Sequence, residues 1–287
     1  CLLFNEPMSA HTTFKIGGPA DYLVMPTSFK EVSEIVALCQ KYKVPVTILG
    51  NGSNVLVLDK GIRGVVLKFT DKLAYIKYEN GILYAGTGAM LKDISKYSLR
   101  ESLVGLEFAI GIPGSVGGAV FMNAGAYGGE MSQVVSAVTA ITEDNKIKRF
   151  TREELNFGYR HSRFQESFSI ILEIEFSLRL GNKNEIMTRM DDYTKKRESK
   201  QPVESASAGS MFKRPEGSYA GTLIEKSGLK GVRVGGAEVS LKHAGFIVNA
   251  GDATAQDVLD LIEKIKQTVY KKFQVRLMSE VRIIGEQ

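Results

Sequence analysis

Two glycine-rich stretches carry the clearest chemistry in the chain: Gly50-Asn51-Gly52-Ser53-Asn54 and Gly111-Ile112-Pro113-Gly114-Ser115-Val116-Gly117-Gly118-Ala119, about sixty residues apart. Glycine has no side chain, so backbone N–H groups beside it approach an anion closely and the chain takes positive φ without steric penalty. Successive amides then point into one concave nest. Two such loops suit a diphosphate, and the ligand class indicated is a nucleotide or dinucleotide cofactor. Plain turn formation is the competing reading in a chain with 29 glycines. Against it, segment 105–129 has Glu107 as its only charged side chain and interleaves its glycines with Ile110, Ile112, Val116, Val120, Phe121 and Met122. A solvated linker carries more charge and fewer apolar residues, so this segment reads as buried backbone wrapped around something.

The remaining composition narrows the class. His11, His161 and His243 are far apart and have no ligand spacing, so no catalytic metal is expected. Only Cys1 and Cys39 are present, which excludes a disulfide framework. The net charge of +5 is dispersed, with its densest cluster at Lys195-Lys196-Arg197 and Lys200. Nucleic-acid binding asks for basic clusters interleaved with aromatics on one element, so no nucleic-acid partner is expected. A soluble anionic substrate such as a nucleotide-sugar fits better. With 44% hydrophobic and 24% charged residues and no apolar run approaching a membrane span, the chain reads as globular, without membrane attachment, and cytoplasmic by default. Its start at Cys1, followed by Leu2-Leu3-Phe4 without a basic leader, is read as a trimmed amino terminus rather than a signal peptide.

Several elements must position the loops. Ser28-Phe29-Lys30-Glu31 is a capping box, and Val32, Ile35, Val36 and Cys39 follow at helical spacing, predicting a helix over 29–42. Strands Val44–Leu49, Val55–Leu58 and Gly64–Phe69 complete a compact α/β unit with the first loop at a strand end, a common place for ligands. From residue 73 the pattern becomes short alternating strands, with hairpin turns at Glu79–Ile82 and Glu143–Lys146, ending in strand Ile170–Leu180. A polar break at Gly181–Asn184 opens a helix carrying Ile186, Met190 and Tyr193, and a second helix is predicted over 254–273. The expected division is therefore 1–72, 73–181 and 182–287.

Three further stretches set an Arg, a Ser and a Glu in distinctive contexts: Phe157-Gly158-Tyr159-Arg160-His161-Ser162, Ala208-Gly209-Ser210-Met211-Phe212-Lys213-Arg214-Pro215, and Ser279-Glu280-Val281-Arg282-Ile283-Ile284-Gly285. Together with the glycine loops, Thr12–Ala20 and Gly235–Asn249, they make the whole chain resemble the UDP-N-acetylenolpyruvoylglucosamine reductase (MurB) family. The short interval between Leu180 and Ser205 leaves no room for a large insertion and resembles the shorter, type II branch.

The resemblance implies an α+β protein: a two-part FAD-binding region of the vanillyl-alcohol-oxidase-like (PCMH-type) fold, then an α+β substrate-binding carboxy-terminal domain. It implies an oxidoreductase of peptidoglycan precursor synthesis, in which noncovalent FAD is reduced by NADPH and then reduces the enolpyruvyl ether of a UDP-sugar. By position, Arg160 and Glu280 stabilise the enolate and Ser210 protonates the alpha carbon. A guanidinium grips a carboxylate bidentately, which suits Arg160. Glu280 must be protonated or arranged as a proton source, because an ionised carboxylate repels an enolate.

The FAD residues implied are Gly50, Asn51, Gly52, Ser53 and Asn54, then Gly111, Pro113, Gly114, Ser115, Gly117, Gly118 and Ala119, with Asn123, Gly125 and Ala126 beyond. Lys200 looks like the lysine at the substrate diphosphate, with a solvated lysine as its rival. Arg214 stands where many members carry Asn, and its longer guanidinium is a candidate phosphate contact. A monomer or weak homo-oligomer is expected. An FAD-dependent oxidase of the same fold and a catalytically silent nucleotide-binding module are the competing functions.

Overall fold

The computed structural model describes residues 1–287. The chain forms two compact units. The first comprises Cys1–Leu2, Val24–Asn51 and Val65–Arg197; the second comprises Leu3–Leu23, Gly52–Gly64 and Glu198–Gln287. No helix is long and apolar enough to cross a membrane.

The first unit holds helices α1 (Phe29–Lys41), α2 (Leu91–Arg100), α3 (Val116–Phe121) and α4 (Lys183–Lys200, its residues to Arg197). Helix α1 begins at Phe29 as expected, with one half of the capping box formed: the Ser28 hydroxyl accepts from Glu31 N–H at 3.2 Å. The Glu31 carboxylate turns back to accept from Thr27 N–H at 2.6 Å. A five-stranded antiparallel sheet runs in the spatial order Ile147–Thr151, Val135–Thr142, Ser169–Ser177, Ile82–Gly86, Ile76–Glu79. Both predicted hairpins lie in it, turning at Asn80-Gly81 and across Glu143–Lys146. The last predicted strand stops at Ser177; Arg179–Leu180 then pairs with Leu103–Val104. Strand Val46–Leu49 pairs in parallel with Val65–Lys68 and delivers the chain to Gly50. One face of the sheet buries Val138, Ile174 and Phe176 with α2 and α3; the other buries Ile141, Ile170 and Leu172 with α1.

The second unit contains α5 (Ala220–Lys226) and α6 (Ala255–Phe273) with an antiparallel sheet in the order Ser207–Ser210, Phe246–Asn249, Ala237–Val239, Arg233–Val234. Helix α6 starts with a reciprocal capping box between Thr254 and Asp257 and buries Val258, Leu261, Ile262, Ile265 and Val269. Strand Arg282–Ile284 pairs in parallel with Val55–Val57. The division expected at residues 72 and 181 is contiguous in sequence, and the units are not. Phe14, Ile16, Leu56 and Leu58 enter one hydrophobic core with Ile224, Val258 and Leu261, which gathers the amino-terminal segment and 52–64 around the carboxy-terminal elements.

His243 in this unit accepts from Gly245 N–H through Nδ1 at 3.1 Å and meets Phe246 edge-on at 5.1 Å. Burial pulls its pKa below the ordinary histidine value. The folded pKa is thus lower than the unfolded one, so the stability it contributes is complete above about pH 6.5 and is lost as pH falls through the lowered folded value. His243→Gln is expected to reduce the drop in melting temperature between about pH 7.5 and about pH 5.5, measured by thermal denaturation at both.

Candidate active site

In the first unit the two glycine-rich stretches meet. Strand Val46–Leu49 brings Gly50 so close to the second loop that a Cβ there would stand 2.2 Å from Ser115 Oγ. The Asn51 side-chain amide donates to Pro113 O at 2.6 Å. Ser115 caps α3 by accepting from Gly118 N–H at 3.3 Å, while Val116 and Gly117 N–H donate to Ala89 O and Thr87 O at 2.7 and 3.0 Å. Those three amides are committed within the protein, and Gly117 packs closely against its neighbour: a Cβ there would lie 2.0 Å from Thr87 Oγ1. The amides of Gly50 and Asn51, in contrast, donate to no protein acceptor, nor do those of Gly52, Ser53 and Asn54 in the second unit. Consecutive uncommitted N–H groups at the end of a parallel strand are the donor set that a diphosphate requires.

One face of α4 lies along the glycine-rich segment. Arg189 pairs with the buried Glu107 at 2.7 Å, Tyr193 stacks on Tyr127 at 4.6 Å between centroids, and Arg197 packs so that a Cβ on Gly111 would meet its Cδ at 2.7 Å. Arg197 is half-buried, has no carboxylate partner, and is held below the usual arginine pKa by burial. A desolvated guanidinium against a glycine loop is a candidate anion-binding group that sequence reading missed, because Lys195-Lys196-Arg197 resembles a solvated run. The spacing of Arg189, Tyr193 and Arg197 at successive four-residue steps is the signal that marks the shared face.

Arg160 sits in a tight turn in which Gly158 and His161 exchange N–H···O bonds at 3.1 Å each. Its φ of 54° is the left-handed region, where a long side chain is strained by about 1–3 kcal/mol, and such strain concentrates at functional sites. The guanidinium lies over the Tyr159 ring at 5.1 Å and donates to Gly125 O at 3.4 Å. Asn123, expected among the cofactor residues, is fully buried with its polar atoms occupied by protein: Nδ2 donates to Gly158 O at 2.9 Å and Oδ1 accepts from Ser132 N–H at 2.9 Å. Gly125 and Ala126 pair with Gly129 and Glu130 beside it. Ala119 is buried within α3.

In the second unit, residues from three distant parts of the sequence converge. Gly52, at φ 65°, would push a Cβ to 2.4 Å from His11 O. Thr13 N–H donates to Gly52 O at 3.2 Å and Thr13 Oγ1 to Ser207 O at 2.7 Å, which ties the first loop to the strand bearing Ser210. Glu280 N–H donates to Met211 O at 2.9 Å and Phe212 bridges Ser279, placing Glu280 beside that strand. Asn54 closes the group: its Nδ2 donates to Glu280 O at 3.4 Å and its carbonyl accepts from Arg282 N–H at 3.0 Å. Ser210 Oγ reaches only a long 3.5 Å contact to Phe212 O, so its proton is not held by a strong internal acceptor. Lys200 is exposed at the end of α4, and the Arg214 guanidinium lies over the Tyr219 ring at 4.1 Å. No group of three His, Cys, Asp or Glu side chains is placed to hold a metal ion.

The Gly52 geometry gives a direct test. Gly52→Ala adds left-handed strain of about 1–3 kcal/mol and a close contact with His11 O. The variant is expected to bind FAD at least about tenfold more weakly and to melt several degrees lower, read by flavin fluorescence titration and thermal denaturation.

Residues 20–151 match the FAD binding domain family, and residues 201–284 match the family described as UDP-N-acetylenolpyruvoylglucosamine reductase, C-terminal domain. The UDP-N-acetylenolpyruvoylglucosamine reductase of Listeria monocytogenes is 54% identical over 282 residues, covering 98% of this chain and 94% of that protein. The protein of the same name from Clostridium perfringens is 53% identical over 281 residues, covering 98% and 92%. The crystal structure of UDP-N-acetylenolpyruvylglucosamine reductase (MurB) from Thermus caldophilus superposes at a TM-score of 0.84 with 36% identity, covering 99% of this chain and 98% of that one. The expected α+β fold, an FAD-binding region followed by a carboxy-terminal domain of this type, is what these matches find, and the chain belongs to the UDP-N-acetylenolpyruvoylglucosamine reductase family.

Proposed function

We propose that the protein reduces the enolpyruvyl ether of UDP-N-acetylglucosamine-enolpyruvate to the lactyl ether of UDP-N-acetylmuramate, using NADPH, as a step of peptidoglycan precursor synthesis in the cytoplasm. The observation that supports it most is the placement of Ser210 and Glu280 on adjoining backbone within the carboxy-terminal unit, joined by the 2.9 Å bond from Glu280 N–H to Met211 O. A protonating hydroxyl beside a carboxyl is the pair that reduction of an enol ether demands, and a flavin oxidase of alcohols has no use for it.

The residues present fit FAD: five uncommitted amides over Gly50–Asn54, glycines at 50 and 111 that pack so closely on Ser115 and Arg197 that a Cβ would clash, and a carboxylate-free arginine at Arg197. The first loop holds neither histidine nor cysteine, so the flavin is held without a covalent tether. Held by Gly50–Asn54 and Arg197, FAD would supply hydride transfer, from NADPH to the methylene carbon of the enolpyruvyl group. That addition places negative charge on the alpha carbon, delocalised into the carboxylate.

Arg160 binds this carboxylate, since a guanidinium stays charged and meets two oxygens at once, and its strained turn fixes where the charge sits. Glu280 is the carboxyl group that accompanies Arg160 at the enolate. Ser210 then supplies the proton: its O–H bond breaks as the new C–H bond forms at the alpha carbon, and the alkoxide is reprotonated from solvent. An ordinary hydroxyl is a weak acid, but the enolate is strongly basic and a fixed donor needs little acidity. Lys200 and Arg214 contribute positive charge toward the substrate diphosphate.

Under anaerobic conditions the yellow holoenzyme should bleach on addition of NADPH and regain colour on addition of the enolpyruvyl UDP-sugar. A flavin that bleaches but ignores the sugar would remove this substrate assignment.

A further inference from the structure

We propose that Gln165 is a positioning residue for the reductive step, its side-chain amide locking the Arg160 turn to the end of α3. This rests on Arg160 being the enolate-stabilising cation described above. The two hydrogens of Gln165 Nε2 go to two carbonyls: Phe121 O at 2.8 Å and Arg160 O at 3.1 Å. Phe121 is the last residue of α3, whose carbonyl has no donor one turn ahead within the helix. Arg160 O, in turn, reports the ψ angle of Arg160 itself, so a donor fixed on that oxygen fixes the conformation of the strained residue.

The other end of the turn is held independently, by Asn123 Nδ2 on Gly158 O at 2.9 Å. The φ of 54° at Arg160 is one that an unrestrained arginine leaves, and the clamp at both ends keeps it there. The buried Ser162 hydroxyl also donates to Phe121 O, at 2.8 Å, so the attachment of this loop to α3 survives without Gln165. Gln165 adds to this the bond to the Arg160 carbonyl. Because α3 begins at the second glycine loop, one amide connects the aim of the arginine to the element that carries the proposed flavin cradle.

The test separates the half-reactions of the flavin-loaded enzyme by stopped-flow absorbance: bleaching by NADPH, and recolouring by the enolpyruvyl UDP-sugar. In Gln165→Ala, recolouring is expected to slow about 10- to 100-fold, the scale of an ångström-level misplacement, while bleaching and flavin content stay near wild type. Gln165→Glu keeps the size but presents acceptors to both carbonyls and should slow recolouring further. Gln165→Lys, which restores a donor-only group, should recover most of the loss. Combining Gln165→Ala with Arg160→Ala should be no slower than Arg160→Ala alone, because the two act as one unit.

Equal slowing of both half-reactions, or additive effects in the double variant, would reduce Gln165 to a structural role and overturn the proposal. If Arg160→Ala slows recolouring and the Gln165 variants do not, the positioning role alone fails. If Arg160→Ala leaves recolouring unchanged, the arginine assignment itself fails and takes the clamp with it.

Discussion

Ser210→Ala leaves the bleaching of the flavin by NADPH within about threefold of wild type and slows its recolouring by the enolpyruvyl UDP-sugar about a thousandfold, the middle of the range for loss of a positioned proton donor. Such a loss corresponds to about 4 kcal/mol of transition-state stabilisation. The asymmetry follows from where the residue sits. Ser210 closes a strand in the carboxy-terminal unit, half-buried, with its hydroxyl on a long contact to Phe212 O and its backbone in register with Phe246. Removing the oxygen deletes a proton source without disturbing a strong internal hydrogen bond, so folding and flavin uptake should hold. Delivery of hydride from NADPH involves no enolate and has no need of this proton. Stopped-flow absorbance of the two half-reactions decides the matter: comparable slowing of both would mean that Ser210 shapes the site rather than protonating the product.

The parts of this arrangement that were legible in the sequence are those written in local patterns. Ser28 caps α1, which begins at Phe29 where the helix was expected to begin, and the helix expected over 254–273 begins at Ala255. Asn80-Gly81 announced its hairpin. The glycine-rich segments were expected to be tightly packed backbone, and a Cβ on Gly50 would stand 2.2 Å from Ser115 Oγ.

Helix α2 was hidden because its buried face carries Ser95 and Ser98 alongside Leu91 and Ile94, which interrupts the apolar stripe. The two hydroxyls are buried at no loss, donating to Leu106 O and Ser95 O at 2.8 Å each. Helix α3 was hidden for a different reason. Val116-Gly117-Gly118 has poor helix propensity, and its first turn is held by bonds to Ala89, Thr87 and the Ser115 cap. The pairing of Arg282–Ile284 with Val55–Val57 joins segments more than two hundred residues apart, and no local pattern encodes it. That pairing is nonetheless what brings Glu280 to the first loop.

Glu280 gives the second large expectation, and its backbone supplies the reasoning. Its N–H is bonded to Met211 O, its carbonyl accepts from Asn54, Lys213 N–H is bonded to Met278 O at 2.8 Å, and the chain then enters a parallel strand pairing. With the main chain held on both sides, a shortened side chain cannot be compensated by a backbone shift. Glu280→Asp withdraws the carboxyl by about one carbon–carbon bond, roughly 1.5 Å, and a misplacement on that scale is expected to slow recolouring by about a hundredfold. Glu280→Gln keeps the length and shape but replaces the carboxyl with an amide that cannot act as an acid, and a loss of about 100-fold or more is expected for that reason. Neither change should alter bleaching by NADPH. The pair separates placement from acidity: a Gln variant that recolours at nearly the wild-type rate would show that hydrogen bonding suffices without an acid. An Asp variant that does so would show that the pinned backbone does not set the reach of this group.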